Sequence, residues 1–159
     1  MPSPRLKSTI TFSAAIFFAA IAVSQIAENP DKETVRVTVS LNADGSRTTY
    51  RFDQPNKKAT ALTTGQDGKV REKIQYDLDD SGRFVSGVIS DAEGQFRFKA
   101  LYKYDATGRL QEETHLGKDD AVLSKIVYSY NQAGKQTGYS IFDASGKLIG
   151  KTSPSPPRK

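Results

Sequence analysis

Few residues in this sequence have the reach for chemistry. His115 is the single histidine, set in "EETHLGKDD" between Glu112, Glu113 and Asp119. A histidine beside a carboxylate has the make-up of a general base. With one histidine and no cysteine, the chain offers neither a multi-histidine metal site nor a thiol nucleophile. It has no Gly-x-Ser-x-Gly elbow either. Strand alternation puts His115 on the face away from Leu110, Glu112 and Thr114, which predicts an exposed strand residue and no catalytic role. The acidic run "DLDDSG" (77–82) places Asp77, Asp79, Ser81 and Gly82 at positions 1, 3, 5 and 6 of a calcium loop. Position 12 falls on Val88, where a bidentate glutamate is required, so no metal and no cofactor is expected. A weak cation site on Asp77, Asp79 and Asp80 is the alternative, and "KDD" (118–120) is a similar loop.

Surface charge and aromatics supply the remaining candidates. Arg97, Lys99 and Lys103 form a row, with Lys73 and Lys125 on nearby strands. Beside it stand Tyr102, Tyr104, Tyr128 and Tyr130. Together Arg97, Lys99, Lys103 and these four tyrosines are the candidate ligand surface, suited to an anionic glycan or a partner protein. The competing reading is that the cations keep a sheet soluble and discourage edge pairing. The net charge is +5. That is too mild, with no recognisable module, for nucleic-acid binding.

These residues must be held by something, and the stretch "LYKYDATGRL" (101–110) shows what. Aligned on its glycine it recurs as "QYDLDDSGRF" (75–84), "VYSYNQAGKQ" (127–136) and "YSIFDASGKL" (139–148). Weaker copies are "VISDAEGQF", "VSLNADGSR" and "LTTGQDGKV". The anchoring glycines 45, 68, 82, 94, 108, 134 and 146 are separated by 23, 14, 12, 14, 26 and 12 residues. A unit of about a dozen residues is therefore skipped twice, near Pro55 and near Gly117–Asp120. An Asp or Asn opening a tight turn accepts a hydrogen bond from a backbone N–H two residues on, and the glycine supplies positive φ. Between turns the apolar period is two. Val35, Val37, Val39 and Leu41 share a face against Arg36, Thr38 and Ser40. Phe96, Phe98, Ala100, Tyr102 and Tyr104 face one way, against Arg97, Lys99, Leu101 and Lys103. The fold class is all-β: an antiparallel meander of about ten strands over residues 35–152. Covering the aromatic face predicts a monomer whose sheet is strongly coiled or partly closed. Gly138, inside a strand, is expected to tolerate substitution better than the turn glycines unless it marks a bulge.

"YKYDATGRL", with the partial copies "YDLDDSGRF" and "YSYNQAGK", resembles the YD-peptide, or Rhs-type, repeats of bacterial surface and toxin proteins and of animal teneurins. The resemblance covers most of residues 35–150. It implies a strand-and-turn motif that is structural, so no catalytic residue is implied. In large members long arrays wind into a shell around a toxin domain. This chain has neither the length for a shell nor room for a cargo domain.

The ends carry an address. Arg5 and Lys7 precede the uncharged run Ile10–Val23, and Ala22 and Ser24 are small residues at −3 and −1 of a cut before Gln25. This is the pattern of a secretory signal peptide over residues 1–24. A spanning helix wants roughly 20 apolar residues, and this run is shorter, so no permanent membrane anchor is expected. Without cysteine there is no acceptor for a lipid anchor. Removing Arg5 and Lys7 lowers the charge from +5 to +3. Residues 25–34 read as a polar lead-in and 153–159, "SPSPPRK", as a disordered tail. A cysteine-free exported chain suits a bacterial periplasm or exterior. The expected function is a non-enzymatic envelope module that binds a protein or glycan, or serves as scaffold. The alternative is an accessory, an immunity-like partner or a detached fragment of an Rhs-type toxin system.

Overall fold

Turn chemistry builds this molecule, and the turn at Asp105 shows how. The Asp105 Oδ1 accepts the N–H groups of Thr107 and Arg109 at 2.9 and 3.0 Å. The Gly108 N–H donates to the Asp105 carbonyl, and the Asp105 N–H donates to the Arg109 carbonyl, each at 2.9 Å. Gly108 has φ +80°. A type I turn followed by one left-handed residue is a standard three-residue hairpin connection. The same two backbone bonds close the turns at 42–46, 65–69, 79–83, 91–95, 117–121, 131–135 and 143–147. Where the glycine spacing skips, the left-handed residues are Lys57 (φ 51°) and Asp120 (φ 57°). Both skipped turns are there.

The structure, a computed structural model, describes residues 35–152. The expected leader (1–24), lead-in (25–34) and tail (153–159) lie outside the described residues. Ten strands follow one another: β1 (Val35–Leu41), β2 (Arg47–Asp53), β3 (Lys58–Thr64), β4 (Val70–Leu78), β5 (Phe84–Asp91), β6 (Phe96–Tyr104), β7 (Leu110–Leu116), β8 (Val122–Tyr130), β9 (Gln136–Asp143) and β10 (Leu148–Lys151). They form one antiparallel sheet in sequence order. Closure is not found. Backbones meet only between consecutive strands, β1 and β10 are both edges, and the sheet is neither closed nor strongly curled. The expected coiling is thereby corrected: side chains packed laterally along the face bury its inner residues, with Tyr50, Ile74, Phe84 and Tyr102 only partly buried against them.

From β4 onward the second residue of each strand is extra, opposing a position its partner has already matched: Arg71, Val85, Arg97, Gln111, Leu123, Thr137 and Ile149. Each such bulge resets the alternation of faces. Two sequence expectations fail for this reason. Past Gln111, Glu113 and His115 stand opposite Tyr102 and Ala100, on the buried face, and His115 is only 5% exposed. Past Arg97, Phe98 stands opposite Ile89 while Phe96 stands opposite Ser90 on the other side, so Phe96 leaves the aromatic set. The valines of β1 also lie on the other side, since Arg36, Thr38 and Ser40 are the residues opposite Phe52, Tyr50 and Thr48.

Small residues make a single layer sufficient. Ala59, Ala61, Tyr76, Ile89, Ala100 and Ile126 are buried. A Cβ on Gly87 would lie 3.1 Å from the Tyr76 ring, so that ring covers its neighbour's backbone. Phe84 stacks on Tyr76 at 4.0 Å between centroids and reaches Phe52 at 6.0 Å, over the alanines of β3. Burying each large ring is worth about 1.5–3 kcal/mol. Gly138 is not tolerant after all: a Cβ there would run into the backbone carbonyl of Thr152.

Candidate functional site

The aromatic face is an open trough of about 1190 Å³ running from the β1–β2 turn to β8. Tyr50, Ile74, Tyr76, Ile89, Phe98, Tyr102 and Tyr128 give it an apolar, aromatic lining. Its polar groups come from the β1–β2 and β3–β4 turns, among them Asn42, Asp44, Ser46 and Gln66, and from Arg71, Glu72, Arg97, Glu113, His115 and Ser124 on the bulged strands. Arg97 is turned into the trough by its own bulge and bonds Glu72 at 3.4 Å. Burial raises the Glu72 carboxyl above its ordinary range, and the Arg97 charge pulls partly the other way.

At the β7–β8 end lies a buried polar chain. The register pairs His115 with Ser124 and Glu113 with Ile126, and the long side chains close the gaps. His115 Nε2 and Glu113 Oε1 are 2.7 Å apart, and Ser124 Oγ lies 3.1 Å from His115 Nδ1. The Tyr128 hydroxyl donates to Glu113 Oε2 at 3.0 Å. Phe98 packs on the imidazole at 4.4 Å between ring centroids. Burial, then the Glu113 charge, pushes the Tyr128 hydroxyl well above the usual phenol range. Serine, histidine and acid in series have the order of a hydrolytic relay. Acyl transfer also needs free N–H groups aimed at a developing oxyanion. Here the N–H groups of the paired residues around Ser124 belong to the ladders with β7 and β9. The serine is buried as well. The arrangement satisfies polar groups beneath the trough and fixes the Tyr128 ring. The sequence hid it, because the contact between Ser124 and His115 exists only in the bulged register.

The seven candidate ligand residues separate into three places. Arg97, Tyr102 and Tyr128 line the trough. Lys99 and Lys103 alternate with Phe98, Tyr102 and Tyr104 and lie on the back, where Lys99 is 3.8 Å from Asp120. Of the neighbouring cations, Lys125 pairs with Glu112 at 3.2 Å. Tyr104 and Tyr130 sit on the rim, each held by the arginine of the preceding turn on that side. The Arg83 guanidinium lies 4.8 Å from the Tyr104 ring centre, and Arg109 lies 4.9 Å from that of Tyr130. The tyrosine hydroxyls donate to the Phe84 and Leu110 carbonyls at 3.0 and 2.6 Å. The same arginines bond Asp79 and Asp105 through Nε at 2.7 Å.

The acidic run at 77–80 does not converge. Asp77 bonds Lys58 and Ser86, Asp79 closes its own turn with Arg83, and Asp80 pairs with Lys57. Among the described residues no group of His, Cys, Asp and Glu is placed to hold a metal, and no helix is long and apolar enough to cross a membrane. Comparison with known proteins finds no matching family model and no matching curated protein.

Proposed function

We propose that this chain is a non-enzymatic, exported protein of the bacterial envelope, a short YD-like β-repeat module that binds a glycan chain along its trough. The observation that carries this reading is the placing of Tyr50, Tyr102 and Tyr128 beside Glu72 and Arg97 along one open groove. Ring faces suit the apolar faces of sugars, and flanking carboxylate and guanidinium groups suit their hydroxyls. Pockets for small molecules enclose about 300–1,000 Å³ and cover most of the ligand. This trough is larger and open along its length, which favours an extended polymer. The basic start, the run Ile10–Val23 and the small residues Ala22 and Ser24 support export.

Titration calorimetry of the exported protein with peptidoglycan fragments and chito-oligosaccharides tests the reading. Glu72→Ala and Arg97→Ala should each weaken binding about tenfold, the loss of one well-placed hydrogen bond. Lys103→Ala, on the back, should leave it unchanged. If no oligosaccharide binds and a pull-down from envelope extract recovers a protein that protects the trough tyrosines, the glycan reading gives way to a protein ligand.

A further inference from the structure

We propose that β1 is the pairing edge for a second copy of this chain, so that two ten-stranded sheets join edge to edge through their first strands. β1 is an edge strand whose described pairing is to β2 alone. It runs in unbroken register with β2 over all seven residues, whereas every ladder from β3–β4 onward is interrupted by a bulge. The Asn42 N–H donates to the Ser46 carbonyl across the turn. By alternation Ser40, Thr38 and Arg36 direct their backbone groups to β2, and Val35, Val37, Val39 and Leu41 direct theirs outward. Three of those outward residues are also bare on their side chains: Val37 is 59% exposed, Val39 57% and Leu41 79%.

The strand is complementary to itself. In an antiparallel pairing centred on Thr38, Val35 lies opposite the partner's Leu41, and Val37 opposite the partner's Val39. Thr38 meets the partner's Thr38, and Arg36 meets the partner's Ser40. Every residue with outward N–H and C=O groups then faces another of the same kind. Apolar side chains meet apolar ones on the back, and no like charges are opposed. The far edge explains why the assembly stops at two. β10 has four residues ending in Lys151, a bulge at Ile149 and Lys147 just before it, which are standard protections of a sheet edge. Pairing β1 with β1 closes on a two-fold axis, and pairing β1 with β10 would grow a fibre.

The test uses the exported protein as the cell processes it. Sedimentation equilibrium should give twice the chain mass. Val39→Pro removes an outward N–H that β2 does not use, so it should yield a monomer with an unchanged β-sheet circular dichroism spectrum. Ser40→Pro strikes the β1–β2 ladder and should lower the melting temperature. The chain has no cysteine, so Thr38→Cys gives one reporter. In a non-hydrogen-bonded pair its Cα lies ~4.5 Å from its mate's, within disulfide reach. Oxidation should cross-link Thr38→Cys and leave Ser40→Cys free. A wild-type protein at monomer mass overturns the proposal, including a monomer whose Val39 amide is protected from exchange by its own preceding residues. So does a Val39→Pro variant that remains dimeric, a Thr38→Cys dimer that fails to cross-link, or growth into filaments.

Discussion

The two rims of the sheet use the same backbone turn and secure it differently. On the rim with Gly82, Gly108 and Gly134, the residue after the left-handed glycine is Arg83, Arg109 or Lys135. Each arginine bonds its own turn aspartate and covers a tyrosine two strands on. On the opposite rim the equivalent residues are Ser46, Lys69, Gln95, Ala121 and Lys147, and the side-chain bonds stay mostly within each turn. One rim is stitched from hairpin to hairpin, and the other is capped turn by turn. The order tyrosine, aspartate, glycine, arginine is therefore a device for linking hairpins. Its natural period is two strands, and residues 82, 108 and 134 recur at 26.

Removing a stitch should cost most. Tyr104→Ala deletes the ring under Arg83 and the hydroxyl bond to Phe84, and should destabilise by about 2–4 kcal/mol in denaturant melts. Ser90→Ala, at the matching place before a turn on the capped rim, should stay within about 0.5 kcal/mol. Equal losses would erase the difference between rims.

Turn strain should not distinguish the rims. Gly108→Val forces a β-branched residue to φ +80° and should cost about 1–3 kcal/mol. Gly94→Val, at φ +81° on the capped rim, should cost the same. An unchanged melting temperature for either variant would refute the left-handed turn. Smaller again is Arg109→Lys, which keeps the charge but loses the planar fork over Tyr130. About 0.5–1 kcal/mol is expected, read as a lower urea midpoint, and Lys69→Ala should give no shift.

The smallest effect is acid dependence, shared by both rims. The Thr107 hydroxyl and then the Arg109 N–H hold Asp105 below its ordinary 3.8, and Asp79, Asp44 and Asp143 are lowered by their own turn donors. A carboxyl depressed in the fold contributes stability that is present above its unfolded value and is lost as pH falls through the folded one. Melting temperature should thus decline below about pH 4. Asp105→Asn should flatten that decline while keeping the Oδ1 acceptor, as Asn131 already does for the Lys135 N–H at 3.0 Å.

Turns were the legible part of this chain, since each is written in five adjacent residues. Even the two turns that lack the glycine were placed by spacing, near Pro55 and near Gly117–Asp120, though not their left-handed residues Lys57 and Asp120. Faces were less legible. From β4 onward one extra residue near each strand start inverts the parity that alternation assumes, so Arg97 left the basic row and His115 moved from surface to interior. The Glu113–His115–Ser124 chain depends on three residues meeting across that shifted register, which no local pattern encodes. Closure was misjudged because an exposed aromatic face assumes bare neighbours. Ala59, Ala61, Gly87 and Ala100 instead let the rings lie across the sheet.

Backbone contact confined to consecutive strands has a kinetic meaning. No strand waits for a distant segment, so contact order is low for an all-β protein and long loop closures are avoided. Folding can begin at any hairpin and spread to either side, with stability accumulating from unit to unit as in other linear arrays. A chain emerging from the ribosome would find its next partner within one turn of the last residue delivered. Inserting or deleting one 26-residue pair of strands should lengthen or shorten the trough without asking for a new topology.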